Sequence, residues 1–200
     1  MCSSDLTTWA EMIKDAEQLA KEGKPHYIEI QGAQYEGATV WFNTMVSSAG
    51  GTVLNPDATK ITLGAPAVKA LTIMKQLADS TAADPSLTVQ MENQNRLQME
   101  AGQAAFELNY PFVYPGMKAD NPKLFKSFKW ALYPEVVPGQ PAKVTIGGID
   151  LAVSSFSTHK ALAFQAALCL RNRENQLIGA NVGGVPPTIE SLYNDPALAK

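Results

Sequence analysis

Helix-type and strand-type patterns alternate along this 200-residue chain. A capping box, Thr8-x-x-Glu11, precedes apolar residues at helical spacing, and residues 26–30 then alternate as a strand does. Further helices are predicted over 37–49, after Pro66, over 91–101, over 160–170 and from Arg173, and further strands over 104–108, 130–133 and within 143–155. Such alternation predicts an α/β fold with a layered sheet.

Composition is that of a globular protein with a core. Apolar residues make up 46% of the chain and charged residues 18%, with a formal net charge of -3. This charge offers no basic surface for nucleic acid or anionic lipid. No apolar run is long enough to cross a bilayer.

The ends and the cysteines give two expectations. No charged segment or apolar run precedes Cys2, so the start is not a lipoprotein signal, and residues 1–6 are interpreted as a non-native leader. Cys169 lies in an apolar helical run, where a free cysteine is usually a small core residue. A disulfide between Cys2 and Cys169 is therefore not expected.

Layered parallel sheets bind ligands at the carboxyl ends of their strands. In this sequence those ends follow Gln31 and Leu108, with a further candidate at Gly147-Gly148. Glycines at such positions allow the backbone to approach a ligand or another strand closely.

Four motifs occur in an order and spacing that resemble one family: Thr8–Met12, Ala49–Gly51, Met99–Phe106 and Gly147–Ser154. The chain resembles the carbohydrate-binding extracellular solute-binding proteins of bacterial ABC importers, from about Thr7 to the last residue. The segment from Gln31 to Asn43 is most similar to the mycobacterial-type trehalose-binding lipoproteins.

The resemblance implies a periplasmic-binding-protein-like fold of type II, a three-layer sheet with helices on both faces. Residues 7–200 would be mainly the C-terminal lobe of a two-lobed protein, with the last segments returning toward a missing lobe. It also implies capture of a mono-, di- or oligosaccharide, a trehalose-like disaccharide being favoured, and delivery to the membrane permease subunits. The longer protein would be an extracytoplasmic, lipid-anchored monomer without enzymatic activity.

A sugar presents hydroxyls and flat C–H faces, so its site needs aromatic rings together with carboxylates or amides. Asn109, Tyr110 and Phe112 follow a predicted strand, where the family places an aromatic ring against the ligand. We predict that Tyr110 and Phe112 stack on sugar and that Asn109 is the amide partner. The alternative is that one ring belongs to the core.

Acidic candidates lie at two predicted helix starts. Tyr35 and Glu36 follow the first strand, and Glu36 either accepts from sugar hydroxyls or only complements the helix N-terminus. Trp41, one turn later, is expected in the core. Glu92 matches an acidic contact of the trehalose-type proteins, and its alternative is a solvated helix face.

A last group of candidates lies in the predicted returning strand. Gly147 and Gly148 would present backbone groups to the ligand, while Asp150 would bond the ligand or cap a neighbouring helix.

Other chemistries lack support in the sequence. His26 and His159 have no Cys, Asp or Glu at ligand spacing, so no metal site is expected, nor any cofactor. The serines at 154, 155 and 157 lack the glycines of a nucleophile elbow. Two alternatives remain open: a glycoside-processing enzyme using Glu36 and Glu92 as acid and base, and a binding protein for a peptide, polyamine or iron complex.

Overall fold

The computed structural model describes residues 6–198, which form two compact units. Unit 1 comprises the chain up to Asn109 together with Asn121–Ile146. Unit 2 comprises Tyr110–Asp120 and the chain from Gly147 onward. Most of the expected leader, residues 1–5, lies outside the described residues, as does Cys2.

Eight helices and two strands are present within residues 6–198. In chain order they are α1 (Trp9–Lys21), β1 (Tyr27–Glu29), α2 (Glu36–Ser48), α3 (Ala65–Ala78), α4 (Glu92–Glu100), β2 (Ala104–Glu107), α5 (Val113–Asp120), α6 (Pro122–Phe125), α7 (Lys160–Leu170) and α8 (Arg173–Gly183). Short 3₁₀ turns cover Leu87–Val89 and Glu190–Asn194.

The predicted capping box starts α1. The Glu11 amide donates to Thr8 Oγ1 at 3.2 Å, and the Thr8 amide donates to Glu11 Oε2 at 3.0 Å. Hydrogen bonds from the Thr7 hydroxyl, then from the Thr7 and Thr8 amides, lower the pKa of Glu11 to about 2. The helix buries Trp9, Met12, Ile13 and Ala16 on one face.

The core of unit 1 is built around two tryptophans. Trp9 stacks on Trp41 with ring centroids 6.1 Å apart, and Tyr133 meets Trp9 edge-on at 5.9 Å. Trp41 is buried, as predicted. Leu6, the last residue of the expected leader, packs partly buried against this core.

The sheet of unit 1 is parallel, which confirms the α/β class. Strand β1 pairs with β2 in the register Ile28↔Phe106 and Glu29↔Glu107, with a bulge after Tyr27. Residues 28–31 are all buried, although neighbouring side chains point to opposite faces of a strand. Both faces of β1 are therefore covered, and α1 and α4 contact this strand.

Two predicted strands do not form, and those predictions were wrong. Residues 130–133 and 143–155 contain no strand, because no neighbouring strand in the described chain pairs with them. The first part of the second segment packs along α2 instead: the Thr145 amide donates to Thr44 Oγ1 at 3.1 Å, and the Lys143 amide donates to Ser48 Oγ at 2.9 Å. Ile146 is left 94% exposed.

Unit 2 is mainly helical. Helix α5 packs against α8 and buries Val113 and Met117. The Asn172 side chain caps α8 by accepting from the Asn175 amide at 2.9 Å, and the helix ends at Gly184 in the left-handed conformation. His159 is the residue that precedes α7.

Helix α7 is exposed over most of its surface, although its sequence is strongly apolar. None of its residues is buried, and Cys169, expected in the core, is free and exposed. The helix carries apolar side chains on all sides, and no element of the described chain buries them. No helix between residues 6 and 198 has both the length and the apolar character needed to span a membrane.

Candidate ligand-binding site

Three segments of unit 1 meet where the two parallel strands end. The segment after β1 is tied to the end of β2, because Gln31 Nε2 donates to the Leu108 carbonyl at 3.1 Å. It is also tied to the segment entering α4, through the Ala33 amide and the Gln90 carbonyl at 3.1 Å. We call this set of segments, residues 31–36, 90–92 and 108–109, the strand-end site.

Buried polar groups hold the strand-end site together. With the Asn95 amide oriented to satisfy both of its groups, its nitrogen donates to Gln90 Oε1 at 2.9 Å and its oxygen accepts from Gln31 Nε2 at 3.1 Å. All three side chains are buried. A Cβ on Gly32 would lie 2.4 Å from the Leu87 carbonyl oxygen, so only glycine lets this loop pass the 3₁₀ turn so closely.

Asn109, predicted as the amide partner of a sugar, is held by two hydrogen bonds from one nitrogen. Its Nδ2 donates to Glu107 Oε1 at 2.6 Å and to the Glu92 carbonyl at 2.8 Å. A side-chain amide has two N–H donors, so both are used within unit 1 and the amide plane is fixed. The same contact places Glu92, at the start of α4, beside Asn109.

Tyr35 and Glu36 lie on the adjoining loop. Tyr35 precedes α2, and a Cβ on Gly37 would lie 2.2 Å from the Tyr35 hydroxyl, so the ring lies over the first turn of the helix. Glu36 is exposed in that first turn. Its position fits either of its predicted roles, accepting from a sugar or complementing the helix N-terminus.

The other predicted residues belong to unit 2. Tyr110 and Phe112 are partly buried just before α5, and their carbonyls accept from the Val113 and Gly116 amides at 3.2 and 3.4 Å. Gly147, Gly148 and Asp150 are exposed in irregular chain. The structure thus brings Glu92 and Asn109 together, with the Tyr35–Glu36 loop joined to the same strand end.

A cluster of carboxyl groups at this strand end, two of them buried and the third partly buried, was missed by the sequence interpretation. Burial, followed by the nearby Asp84 and Glu107, raises the pKa of Glu29 to about 8. In the described chain, the Glu29 carboxyl oxygens meet no N–H or hydroxyl donor, and Asp84 is itself buried. A hydrogen bond between Glu29 and Asp84 thus requires that one of the two carboxyl groups keeps its proton.

Glu107 is the third member of this carboxyl cluster. Burial raises the pKa of Glu107 to about 7, and Glu100 adds to the rise, while the hydrogen bond from Asn109 and the charge of Arg96 oppose it. Arg96 and Glu100 form an ion pair on α4 at 3.3 Å. Within residues 6–198, no three His, Cys, Asp or Glu side chains are arranged to hold a metal ion.

The sequence contained one signal for this cluster. Glu29 lies between Ile28 and Ile30, and Glu107 between Phe106 and Leu108, so simple alternation predicts both acids on a solvated face. A parallel strand covered on both faces buries every side chain instead. The sequence therefore indicated the cluster only by an acid between two apolar residues near the end of each predicted strand.

Comparison with solved structures identifies the fold. Maltose-bound MalE3 from T. maritima is 29% identical, with a TM-score of 0.88 over 98% of this chain and 51% of that chain. A ribitol complex of a solute-binding protein from Agrobacterium radiobacter K84 has 22% identity and a TM-score of 0.78, covering 96% of this chain and 49% of that one. The GacH receptor of Streptomyces glaucescens, also solved with acarbose, gives the same identity and TM-score, with 98% and 50% covered. The fold is the type II fold of periplasmic binding proteins.

Sequence comparison then gives the family. The profile of the bacterial extracellular solute-binding proteins matches residues 2–200, and the chain belongs to this family. A probable ABC transporter-binding protein from Deinococcus radiodurans is 31% identical over 98% of this chain and 46% of its own length. The chain therefore spans about half the length of the relatives it matches. The family consists of solute-binding proteins rather than enzymes, which leaves the glycosidase alternative without support.

Proposed function

We propose that this chain forms part of the substrate-binding component of an ABC sugar importer, with the strand-end site as one wall of the sugar site. The observation that carries the proposal is the convergence of Glu92, Asn109 and the Tyr35–Glu36 loop at the carboxyl ends of β1 and β2. Amide and carboxylate groups at such an edge are suited to sugar hydroxyls. The whole protein would close on its ligand and deliver it to the membrane permease subunits.

The proposed ligand is a sugar or polyol. Relatives whose structures were solved with maltose, acarbose or ribitol support this class. Within it we favour a trehalose-like disaccharide, from the resemblance of the segment around Tyr35. Tyr110 and Phe112 are proposed as stacking residues, and Gly147, Gly148 and Asp150 as further polar contacts of the ligand.

The proposed organisation follows from the division of the chain. Unit 1 would be the main part of the C-terminal lobe, and the chain from Gly147 onward would return toward the other lobe. The change of unit after Ile146 and the uncovered helix α7 support this division. The full-length protein would be a lipid-anchored extracytoplasmic monomer, for which the extracellular character of the family gives general support.

Thermal denaturation with added ligand tests the proposal. Trehalose, maltose and ribitol are compared with amino acids and polyamines, each at tens of millimolar, because half of a two-lobed site is expected to bind weakly. A ligand at about 100 times its Kd adds about 2.7 kcal/mol to the free energy of unfolding and so raises Tm. At least one sugar or polyol should raise Tm.

Asn109→Ala should abolish that rise, whereas Asp57→Asn, at an exposed turn of unit 1, should preserve it. A shift given only by amino acids or polyamines would contradict the sugar assignment and favour a non-sugar solute. A sugar shift that persists in Asn109→Ala would remove the strand-end site from the proposal.

A further inference from the structure

We propose that Glu107, the partly buried member of a carboxyl cluster with Glu29 and Asp84, links sugar binding at the strand-end site to protonation by positioning Asn109. This inference rests on the proposed function, because it assigns a role to Asn109 in ligand binding. It concerns acids inside the fold, beneath the surface that a sugar would touch.

The first step is the position of the cluster. Glu29 and Glu107 are paired across the two parallel strands, on the last residue of each strand. Glu29 is fully buried, with Asp84 adjoining it from the segment after α3. Glu29 and Glu107 therefore lie at the strand ends from which the loops with Gln31 and Asn109 continue.

The second step is the contact between Glu107 and Asn109. Glu107 Oε1 accepts one of the two N–H donors of Asn109 at 2.6 Å. The other donor goes to the Glu92 carbonyl, a backbone group whose charge does not change with pH. A change in the charge of Glu107 therefore alters one of the two bonds that fix this amide.

The third step is the electrostatic surroundings. Glu107 is faced by Glu29 from β1 and by Arg96 and Glu100 from α4, and Glu29 is faced in turn by Asp84. One arginine is shared among several acids, so neutral pH does not guarantee that Glu107 is ionised. Burial raises the pKa of Glu107 to about 7, which brings its titration into the physiological range.

The direction of the effect follows from hydrogen-bond strength. An ionised carboxylate accepts a stronger, charge-assisted bond than a neutral carboxyl group does. Asn109 is therefore held more firmly above pH 7, and sugar affinity should be about fivefold higher at pH 8 than at pH 6. Stability changes in the opposite direction, because an acid with a raised pKa in the folded state destabilises the fold as pH rises. A purely structural role of Glu107 would make affinity decline together with stability.

The test uses the full chain and two measurements. The side-chain amide resonances of Asn109 are followed by NMR from pH 5 to 9 without ligand, and the affinities for trehalose and maltose are measured at pH 6 and pH 8. We expect a midpoint near pH 7 in the Asn109 resonances and tighter sugar binding at pH 8. Glu107→Gln, which resembles the neutral acid, should lose the midpoint and bind with the weaker affinity at both pH values.

Two control variants make the test specific. Glu29→Gln changes a buried acid that does not contact Asn109, and it should keep the rise in affinity with pH. Asp57→Asn should behave like the wild type in both measurements.

Four outcomes are distinguishable. The predicted midpoint and affinity change, both lost in Glu107→Gln, support the inference. A midpoint with equal or weaker sugar binding at pH 8 overturns the inference and leaves the sugar function intact, and absence of the midpoint also overturns it. If neither sugar binds at any pH and no sugar or polyol raises Tm, although the midpoint is present, the proposed function fails, and the inferred link to binding fails with it.

Discussion

Glu29 shows how a single acidic side chain can limit the stability of a fold. It is buried between Ile28 and Ile30, next to the Asp84 carboxyl group, and it keeps its proton more readily than an exposed glutamate. The folded state therefore binds more protons than the unfolded state between the ordinary glutamate pKa and about 8. Stability should fall as pH rises through that range.

Replacing Glu29 tests whether this residue makes stability fall as pH rises. Glu29→Gln removes the titrating group and gives Asp84 a permanent N–H donor, so the free energy of unfolding at pH 8 should rise by about 1–3 kcal/mol. Near pH 4.5 the difference between variant and wild type should be small. Urea denaturation at both pH values measures it, and a variant that is less stable at pH 8 would contradict the assignment of a raised pKa.

At the residue scale, the candidate site was predictable in part. Asn109 could be named because it follows a strand, a position that local patterns reveal, and Glu92 because of the family resemblance. Glu107 could not be given its role, because its partial burial beside Asn109 depends on the packing of α4 against β2. That packing is a tertiary property, and local alternation of residues does not encode it.

At the scale of elements, six of the eight helices in the described chain were predicted and α5 and α6 were missed, while both observed strands were predicted together with two that do not form. Helix caps, glycines at helix ends and the spacing of apolar residues are signals within a short stretch of sequence. They predicted α1 to α4 close to their observed bounds. The segments 130–133 and 143–155 carry strand-type residues, but a strand forms only when a neighbour completes its hydrogen bonds. In the described chain that neighbour is absent, and Leu132 is 94% exposed.

The cap of α1 provides a prediction at this scale. Thr8→Ala removes the side-chain acceptor of the Glu11 amide, so we expect a loss of about 1 kcal/mol in the free energy of unfolding. Thr8→Ser keeps a hydroxyl acceptor and should lose much less. Chemical denaturation of the two variants gives the comparison, and equal losses would mean that the methyl group matters rather than the cap.

At the scale of the whole molecule, the uncovered helix α7 is the main departure from an ordinary globular surface. Leu162, Phe164, Leu168 and Leu170 are each at least 59% exposed. Helices with apolar residues on all sides are normally buried. Contiguous exposed apolar surface marks either an interaction site or a tendency to aggregate.

The exposure of α7 can be tested by comparing a substitution on this helix with one at a buried position. Phe164→Ser should reduce binding of a hydrophobic dye and self-association, while changing the free energy of unfolding by no more than about 0.5 kcal/mol. Met117→Ala, at a buried position of α5, should cost about 2–5 kcal/mol. Light scattering and urea denaturation distinguish these effects. A large stability loss in Phe164→Ser would show that α7 is covered in solution.

The chain passes between the two units three times, at Asn109–Tyr110, Asp120–Asn121 and Ile146–Gly147. Truncation of the chain after Ile146 would therefore yield unit 1 with α5 attached but without α8, leaving Val113 and Met117 without their packing partner. A clean dissection needs Asn109 spliced to Asn121 by a short linker. During synthesis on the ribosome, α5 cannot pack against α8 until α8, which lies later in the chain, has been synthesised.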